Sequence, residues 1–195
     1  MATLTETPVM TRRWTREEYY KMAEMGLFKP DEHVQLIEGE IVCRSPQESQ
    51  QATTILAAAE TLGKVFGTQY HVRTQMPLAL GPTSEPEPDV AVVSGSWRDY
   101  KDEHPTTALL VVEVAESTLA FDRGVKASLY AKAGIPDYWV LNLIDRSLEA
   151  RREPVPMPGQ PLGYGYRVLL RLDASATISP VAAPDARILV SDLLP

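Results

Sequence analysis

The chain of 195 residues has a single cysteine, Cys43, and only three histidines. A lone cysteine excludes a disulfide within the chain and a zinc site made of cysteines, so we expect a reducing, cytoplasmic location. The three histidines are not spaced as metal ligands. No apolar run approaches the roughly 18 residues of a membrane helix, and Met1–Met10 lack the apolar core of a signal peptide. We therefore expect no membrane association.

Several catalytic motifs are also missing. The chain has no Gly-x-Ser-x-Gly elbow, no phosphate-binding P-loop, no dinucleotide fingerprint after a strand and no His-Glu-x-x-His. Its net charge of −7 argues against a protein that coats nucleic acid nonspecifically, although a local basic face can coexist with an acidic total. Carboxylates and lysines remain as the candidates for catalysis.

The length fits one domain, and 44% hydrophobic with 23% charged residues is ordinary for a globular protein. Within a single domain over 1–195, we expect residues 1–11 to be a loose tail and residues 153–195 to be a C-terminal β extension. The predicted order is helix, hairpin, helix, strands, helix and strands. This order predicts an α/β fold, a mixed β-sheet flanked by helices.

Two capping boxes predict helix starts in the N-terminal third. Thr15 and Glu18 begin a first helix that should stop at Gly26, and Ser45 with Glu48 begin a second one that should end at Gly67. Between these helices, Glu38-Gly39 is typical of a hairpin turn. The spacing of apolar residues in the second helix predicts one buried face, made of Ile55, Leu56, Ala59, Leu62 and Phe66.

The remaining strands and helix follow from short apolar runs and turn residues. A third helix should begin at Ser117 or Thr118 and end at Ala133-Gly134, and a proline-rich segment, Pro154–Pro161, should be a loop. The predicted strands are Tyr70–Thr74, Met76–Leu80 (broken by Pro77), Val90–Val93, Leu109–Val114, Tyr138–Asn142, Ser147–Arg152, Arg167–Leu172 and Ile188–Val190.

Two carboxylates stand at the ends of neighbouring predicted strands. Asp89 follows Pro88 at a strand entry, and Glu113 interrupts an otherwise apolar strand near its exit. If the strands pair, both side chains meet at one end of a sheet, where their oxygens suit a divalent cation such as Mg²⁺. The alternatives are ordinary turn chemistry at Asp89, and a solvated strand end or structural ion pair at Glu113.

Asp122 and Lys126 are spaced i, i+4 on the third predicted helix. That spacing alone is typical of a surface salt bridge. The functional alternative puts the Lys126 ammonium group over the two carboxylates. Other polar residues have a simpler interpretation as solvated side chains: Glu38, Glu40, Glu85, Glu87, Gln50 and Gln51.

Pro88-Asp89 followed by Glu113 is similar to the motif of the PD-(D/E)XK nuclease superfamily, whose strict form has a lysine where this chain has Ala115. A longer set of residues resembles the Uma-two family of endonucleases, in which the lysine has moved to the following helix, here Lys126. The resemblance covers Trp14 to Asn142 and extends loosely to Leu193. It is carried by Leu36–Glu40, Ser45-Pro46, Val112–Thr118, Asp122, Lys126, Tyr130, Gly134-Ile135-Pro136 and Tyr138-Trp139-Val140.

The resemblance implies a restriction-endonuclease-like fold and a Mg²⁺-dependent DNA endonuclease, with Mn²⁺ as an alternative ion. It implies catalytic roles for Asp89, Glu113 and Lys126, with Asp89, Glu113 and the main-chain carbonyl of Val114 as metal ligands. A nucleic-acid partner, most simply DNA, follows from the same resemblance. We also expect a homodimer, since two active sites are needed to cut both strands of a duplex. Asp122, Glu38 and Gln50 are the auxiliary candidates.

The chain departs from the family pattern at two auxiliary positions. Gln35 stands where a glutamate is common, and Gln50-Gln51 stand where the family often has a histidine. Together with Ala115 and the acidic total charge, these departures leave a second hypothesis open: an inactive nuclease-like module that binds nucleic acid or protein. A purely structural scaffold is the third.

Overall fold

The computed structural model describes residues 11–44 and 47–194. Residues 1–10 of the predicted N-terminal tail and the Ser45-Pro46 pair lie outside the described residues. Within the described ranges, no helix combines the length and the apolar character needed to cross a membrane.

The first helix and the hairpin form as predicted. Helix α1 (Arg16–Glu24) begins at a complete capping box in which the side chains of Thr15 and Glu18 bond each other's backbone N–H. Strands β1 (Val34–Ile37) and β2 (Glu40–Cys43) pair antiparallel around a two-residue turn. Both turn residues have positive φ, and a Cβ at Gly39 would lie 2.6 Å from the Arg13 side chain, so this position requires glycine.

Helix α2 (Ser49–Phe66) differs from its prediction in two respects. It begins at Ser49, after Glu48 as N-cap; the predicted start at Ser45 lies outside the described residues, and Gln47 and Glu48, predicted as its first turn, are not helical. Its buried stripe includes the predicted Ile55, Leu62 and Phe66, but Leu56 is 68% exposed. One residue rotates a helix by about 100°, which carries Leu56 off the stripe that Ile55 begins.

A six-stranded mixed sheet forms the centre of the molecule, in the order β3-β4-β5-β6-β7-β8. Only β5 and β6 are parallel. The mixed sheet flanked by helices that the element order predicted is confirmed. The strands are β3 Tyr70–Thr74, β4 Val90–Ser94, β5 Leu110–Ala115, β6 Asp137–Asn142, β7 Ser147–Pro156 and β8 Tyr164–Asp173.

Two predictions about irregular segments are wrong. Residues Met76–Leu80 form no strand, and β7 continues to Pro156, into the segment predicted as a loop. β7 pairs with β6 only as far as Arg152, and beyond that residue it pairs with β8 alone among the described strands. Proline is tolerated there because its missing N–H can face the unpaired edge, where it removes no ladder hydrogen bond.

The predicted third helix is interrupted by a π-helical turn. Helix α3 (Leu119–Phe121) passes into the π turn Asp122–Lys126, and α4 (Ala127–Lys132) continues from it. The π turn is widened by an extra residue, which redirects the side chains that follow. Asp122 and Lys126, at the two ends of the turn, are both buried.

Each face of the sheet packs on a separate apolar cluster. Alternate residues of the strands point to α2 and, on the other face, to α4. The α2 side also receives the small pair β9 (Thr177–Ile178) and β10 (Ile188–Leu189). The α4 side is built around the buried rings of Tyr130 and Tyr138, whose centroids lie 5.0 Å apart. Glu113 belongs to this second face, because it alternates with Val112 and Val114 of the α2 side.

Candidate active site

Asp89 and Glu113 lie opposite each other on neighbouring strands. β4 and β5 pair Val90 with Val112, and continuing this register by one residue places Asp89 beside Glu113. Both side chains are buried, each residue being 1% exposed. Asp89 Oδ2 accepts a hydrogen bond of 2.8 Å from the backbone N–H of Val114, which ties the carboxylate to the exit of β5.

Glu113 is held by two donors from the helical segment. The Lys126 ammonium lies 2.8 Å from Glu113 Oε1, and the Tyr130 hydroxyl donates a 2.7 Å hydrogen bond to the same oxygen. Burial raises the pKa of Glu113 to about 7; the Lys126 charge opposes this rise, while Asp89 and Asp122 add to it. The interpretation of Glu113 as a solvated strand end is therefore wrong.

Asp122 is the second carboxylate beside Lys126. The distance from Lys126 Nζ to Asp122 Oδ1 is 3.8 Å, and the Thr118 hydroxyl donates to Asp122 Oδ2 over 2.6 Å. Burial is the main cause of the raised pKa of Asp122. Since both partners are 3% exposed, the surface salt bridge that their spacing favoured is wrong. The ammonium instead lies between two buried carboxylates, one from β5 and one from the π turn.

Arg44 is a neighbour that the sequence did not reveal. It follows β2, and its Nη2 lies 2.7 Å from Asp89 Oδ1, while Nη1 donates to the Glu87 carbonyl over 3.1 Å. Because Arg44 and Asp89 are far apart in the chain, no local pattern links the two. A guanidinium group therefore already neutralises the carboxylate that was predicted to bind a cation.

Gln51 reaches the site, whereas Gln50, the predicted auxiliary residue, is exposed. Gln51 Nε2 donates to the main-chain carbonyl of Val114 over 3.2 Å. Sequence could have revealed Gln51, because it lies four residues before Ile55 on the buried stripe of α2. A polar residue on an apolar stripe of a helix indicates a buried polar contact.

Three other acidic residues do not line the pocket, although the backbone of Glu87 contacts Arg44 and Gln35, which do. Glu38, the remaining auxiliary candidate, contacts Lys132 Nζ at 2.7 Å and the Ser84 hydroxyl, and it does not line the pocket. Glu85, expected to be solvated, is buried and bonded by Arg16 and Tyr20. Glu87 is half-buried, and its backbone N–H donates to the Gln35 side chain.

The site residues share one pocket with a volume of about 200 Å³ at the end of β5. Its polar lining brings Asp89, Glu113, Asp122 and Lys126 together. Gln35, at the position where a glutamate is common in the resembling family, also lines it. The other lining residues are Val42, Cys43, Arg44, Gln51, Glu116, Ser117, Thr118 and Phe121.

The donor set of the pocket fits a hard divalent cation with few protein ligands. Within residues 11–44 and 47–194, no group of three or more acidic, histidine or cysteine side chains is arranged to hold a metal. Two carboxylates, Asp89 and Glu113, line the pocket instead, and the Val114 carbonyl lies next to it, bonded by the pocket residue Gln51. Mg²⁺ suits such a set because it keeps several waters and uses only one or two carboxylates.

The raised pKa of Glu113 predicts a pH effect on stability in metal-free buffer. The unfolded carboxyl ionises near 4.5, whereas the folded one stays protonated up to about pH 7. Raising the pH through this interval therefore favours unfolding, by up to about 1.4 kcal/mol per pH unit. We expect wild type to lose stability relative to Glu113→Gln between pH 5 and 7 and the difference to level off above pH 7.

Urea unfolding of both proteins at pH 5, 6, 7 and 8 measures this difference, with EDTA in all buffers. Carboxyl groups remote from the site titrate alike in both proteins and cancel in the comparison, whereas Asp89 and Asp122, which interact with Glu113, contribute to the measured difference. Parallel stability curves over the whole range would mean that the folded Glu113 ionises like an unfolded carboxyl.

Comparison with known proteins identifies a family and a related fold. The model of the Uma2 (Uma-two) family, described as "Putative restriction endonuclease", matches residues 16–180. A crystal structure of "a putative nuclease belonging to DUF820" from Anabaena variabilis is similar at a TM-score of 0.65 and 15% identity, covering 92% of this chain and 96% of that one. At this identity the likeness shows a shared fold. No curated protein gives a significant match.

Proposed function

Since the chain belongs to the Uma-two family, we propose that it is a divalent-cation-dependent phosphodiesterase that cuts DNA internally. The observation that carries the proposal is the convergence of Asp89, Glu113 and Lys126 in one pocket, beside the Val114 carbonyl. Two carboxylates and an ammonium group match the needs of phosphodiester hydrolysis, which are a cation site and a positive charge at the phosphate.

Asp89, Glu113 and the Val114 carbonyl would hold the cation. Asp89 is oriented by the Val114 N–H, and in a strand the carbonyl of Val114 points to the same side as its N–H. A bound Mg²⁺ would supply Lewis acidity, which lowers the pKa of a water molecule and offsets charge on the phosphate. Mn²⁺ prefers the same oxygen ligands and could replace it.

Lys126 would neutralise the scissile phosphate and orient the attacking water. Its ammonium lies 2.8 Å from Glu113 Oε1, so it reaches the edge of the proposed cation site. Asp122 would position Lys126 from the other side and is itself fixed by Thr118. Of the predicted auxiliary residues, Asp122 alone lines the pocket; we propose Gln51 in place of Gln50 because it contacts the Val114 carbonyl.

The function is tested by incubating supercoiled plasmid, linear duplex DNA and RNA with purified protein in Mg²⁺, Mn²⁺ or EDTA. We expect nicked or linear plasmid to accumulate with either ion and none with EDTA. Cleavage that persists in EDTA, or that survives loss of both Asp89 and Glu113 charges, would point to a contaminant. Cleavage of RNA without cleavage of DNA would identify RNA as the substrate and would still support phosphodiester hydrolysis.

An inactive binding module is the second candidate, and the Arg44 contact favours it. A guanidinium group 2.7 Å from Asp89 Oδ1 neutralises the charge of this carboxylate without a metal ion. A nuclease-like protein that no longer binds a cation would need such a replacement charge. This candidate predicts nucleic-acid or protein binding that is insensitive to Mg²⁺ and to Glu113→Gln. An active enzyme requires Arg44 to release Asp89 or to share it with the cation.

Replacing Arg44 should therefore strengthen cation binding. In Arg44→Gln, the amide can still donate to Asp89, but the positive charge that repels a cation is absent. Because like charges a few ångströms apart repel by more than about 1.4 kcal/mol at an effective dielectric constant near 20, we expect at least about tenfold tighter Mg²⁺ binding by calorimetry.

Arg98→Gln is the matched control for that experiment. Arg98 stacks on Trp97 and does not line the pocket, but its replacement changes the total charge by the same amount. Equal Mg²⁺ affinity in wild type and Arg44→Gln would show that Arg44 does not compete for Asp89. Equal gains in both variants would indicate an effect of total charge.

A homodimer is part of the proposal, because cutting both strands of a duplex in one encounter takes two such sites. Light scattering coupled to size exclusion measures the molar mass, and we expect about twice the 21.6 kDa of one chain. A monomer would favour nicking of single strands.

A further inference from the structure

A second charged cluster lies beside the candidate active site, around the buried side chain of Glu149. Arg123 Nη2 lies 2.6 Å from Glu149 Oε1, and Arg151 Nη2 lies 2.7 Å from Oε2. Arg171 Nε, at 3.7 Å from Oε1, is held more loosely than the other two guanidinium groups. Glu149 itself is 2% exposed, so the carboxylate is enclosed by the guanidinium groups.

The cluster carries more positive charge than its carboxylate can offset. Three arginines surround one glutamate, which leaves two positive charges on a chain whose total is −7. Arg123 and Arg151 already satisfy both oxygens of Glu149. Arg171 is surplus to that need, and its side chain is 73% exposed. Stabilising a buried carboxylate therefore explains the first two arginines and leaves Arg171 without a structural role.

The register of the sheet places this cluster in line with Glu113. Glu113 pairs with Val140, Val140 pairs with Glu149, and Glu149 pairs with Arg171. Paired residues share a face, so the row lies on the α4 side of the sheet. With about 4.8 Å between strands, Glu149 lies about 10 Å from Glu113 and Arg171 about 14 Å. Arg123 directly follows Asp122 in the π turn, which joins the cluster to the site.

From this placement we propose that Arg123, Arg151 and Arg171, named here the arginine patch, bind the phosphodiester backbone of the nucleic acid that is cut at the site. The proposal rests on the proposed function for its ligand class. A distance of about 10 to 14 Å corresponds to about three to four nucleotides of a stacked strand, at about 3.4 Å per nucleotide. Guanidinium groups suit phosphate because their planar donors match two of its oxygens.

The test is binding of fluorescein-labelled single-stranded and duplex DNA in EDTA, measured by anisotropy over a series of salt concentrations. EDTA prevents cleavage, so affinity is measured apart from activity. Arg171→Gln is the principal variant because the side chain is exposed and its replacement leaves the packing of the fold unchanged. Arg123→Gln is the second variant, with its thermal unfolding checked alongside.

Arg167→Gln is a closely matched control. Arg167 lies on β8 as Arg171 does, four residues away, and its side chain is 68% exposed. It lies about 13 Å further along the strand and pairs with Glu153. The control removes the same charge from the same strand and leaves the patch intact.

We expect Arg171→Gln and Arg123→Gln each to weaken binding about five- to tenfold. The slope of log affinity against log salt should also become shallower, by about 0.7 to 0.9 for each phosphate that is no longer neutralised. Arg167→Gln should bind within about twofold of wild type. The proposal would be contradicted if Arg171→Gln bound DNA as tightly as wild type. It would also be contradicted if Arg167→Gln lost as much affinity as Arg171→Gln.

The cleavage assay separates failure of the patch from failure of the proposed function. If wild type cuts DNA and Arg171→Gln binds and cuts it equally well, the arginine patch does not bind DNA, while the proposed nuclease activity is supported. If Arg171→Gln weakens binding while neither protein cuts, the patch stands as a binding surface and the hydrolase is wrong. If wild type binds no nucleic acid at low salt, the patch is wrong whatever the activity.

Discussion

Asp89→Asn should lower Mg²⁺-dependent DNA cleavage by on the order of 10³-fold, the upper range for removing one electrostatic interaction with a transition state. Asparagine keeps the shape of aspartate, and its side-chain oxygen can still accept the 2.8 Å hydrogen bond from Val114 N–H. The variant lacks the negative charge that would hold the cation. The variant should keep the fold, although the Arg44 guanidinium loses its ion-pair partner, and Mg²⁺ binding should fall below detection by calorimetry.

Asp185→Asn is the control for the loss of a carboxylate. Asp185 is exposed and does not line the pocket, so its replacement should leave cleavage and Mg²⁺ binding unchanged. Cleavage by Asp89→Asn within about tenfold of wild type would contradict the proposed role of Asp89. Loss of folding in Asp89→Asn, visible as a lowered unfolding temperature in EDTA, would shift the test to Glu113→Gln.

Lys126→Met should also slow cleavage, by about 10² to 10³-fold, but for a different reason. Methionine has a similar length and no charge, so the ammonium group that would neutralise the phosphate is missing. Cation binding should remain: the ammonium 2.8 Å from Glu113 Oε1 no longer competes for that carboxylate, while the loss of its charge, which opposes the raised pKa of Glu113, favours the protonated form. Calorimetry with Mg²⁺ and a single-turnover cleavage assay measure the two effects separately.

Lys132→Met tests whether the loss of cleavage is specific to Lys126 or follows from removing any lysine of this helical segment. Lys132 ends α4, is 42% exposed and pairs with Glu38 outside the pocket, so we expect near wild-type cleavage. If Lys126→Met lost Mg²⁺ binding as Asp89→Asn does, Lys126 would serve to assemble the site and not to act on the phosphate. Full cleavage by Lys126→Met would exclude it from the reaction.

The two acidic residues could be found from the sequence because Glu113 breaks a local rule and Asp89 marks the entry of the neighbouring strand. Glu113 puts a charge into a strand whose other residues are apolar, and burying an unpaired charge is costly. Asp89 stands at a strand entry after Pro88. Once the two strands pair antiparallel, the register brings these positions opposite each other without further information.

The surroundings of the acids depend on interactions between distant parts of the chain, and local patterns do not encode them. The i, i+4 spacing of Asp122 and Lys126 predicts a surface pair, but both residues are buried in the π turn. The place of Lys126 on the helix after Glu113, and then the family resemblance, pointed to this lysine. The contact between Arg44 and Asp89 likewise joins residues that are distant in the chain, so no local pattern predicts it. Leu56 is an apolar residue that was predicted to be buried and is exposed, because apolar character alone does not decide which side of α2 packs against the sheet.

The most direct test of the cation site is diffraction from crystals soaked in Mn²⁺ and measured for anomalous scattering. We predict one strong peak within about 2.0 to 2.6 Å of oxygens from Asp89, Glu113 and the Val114 carbonyl, the range of divalent cation–oxygen distances. The Arg44 guanidinium should have moved away from Asp89 in the same crystal. A map without a peak in this pocket at saturating Mn²⁺, with Arg44 still bonded to Asp89, would contradict a metal-dependent nuclease at this site.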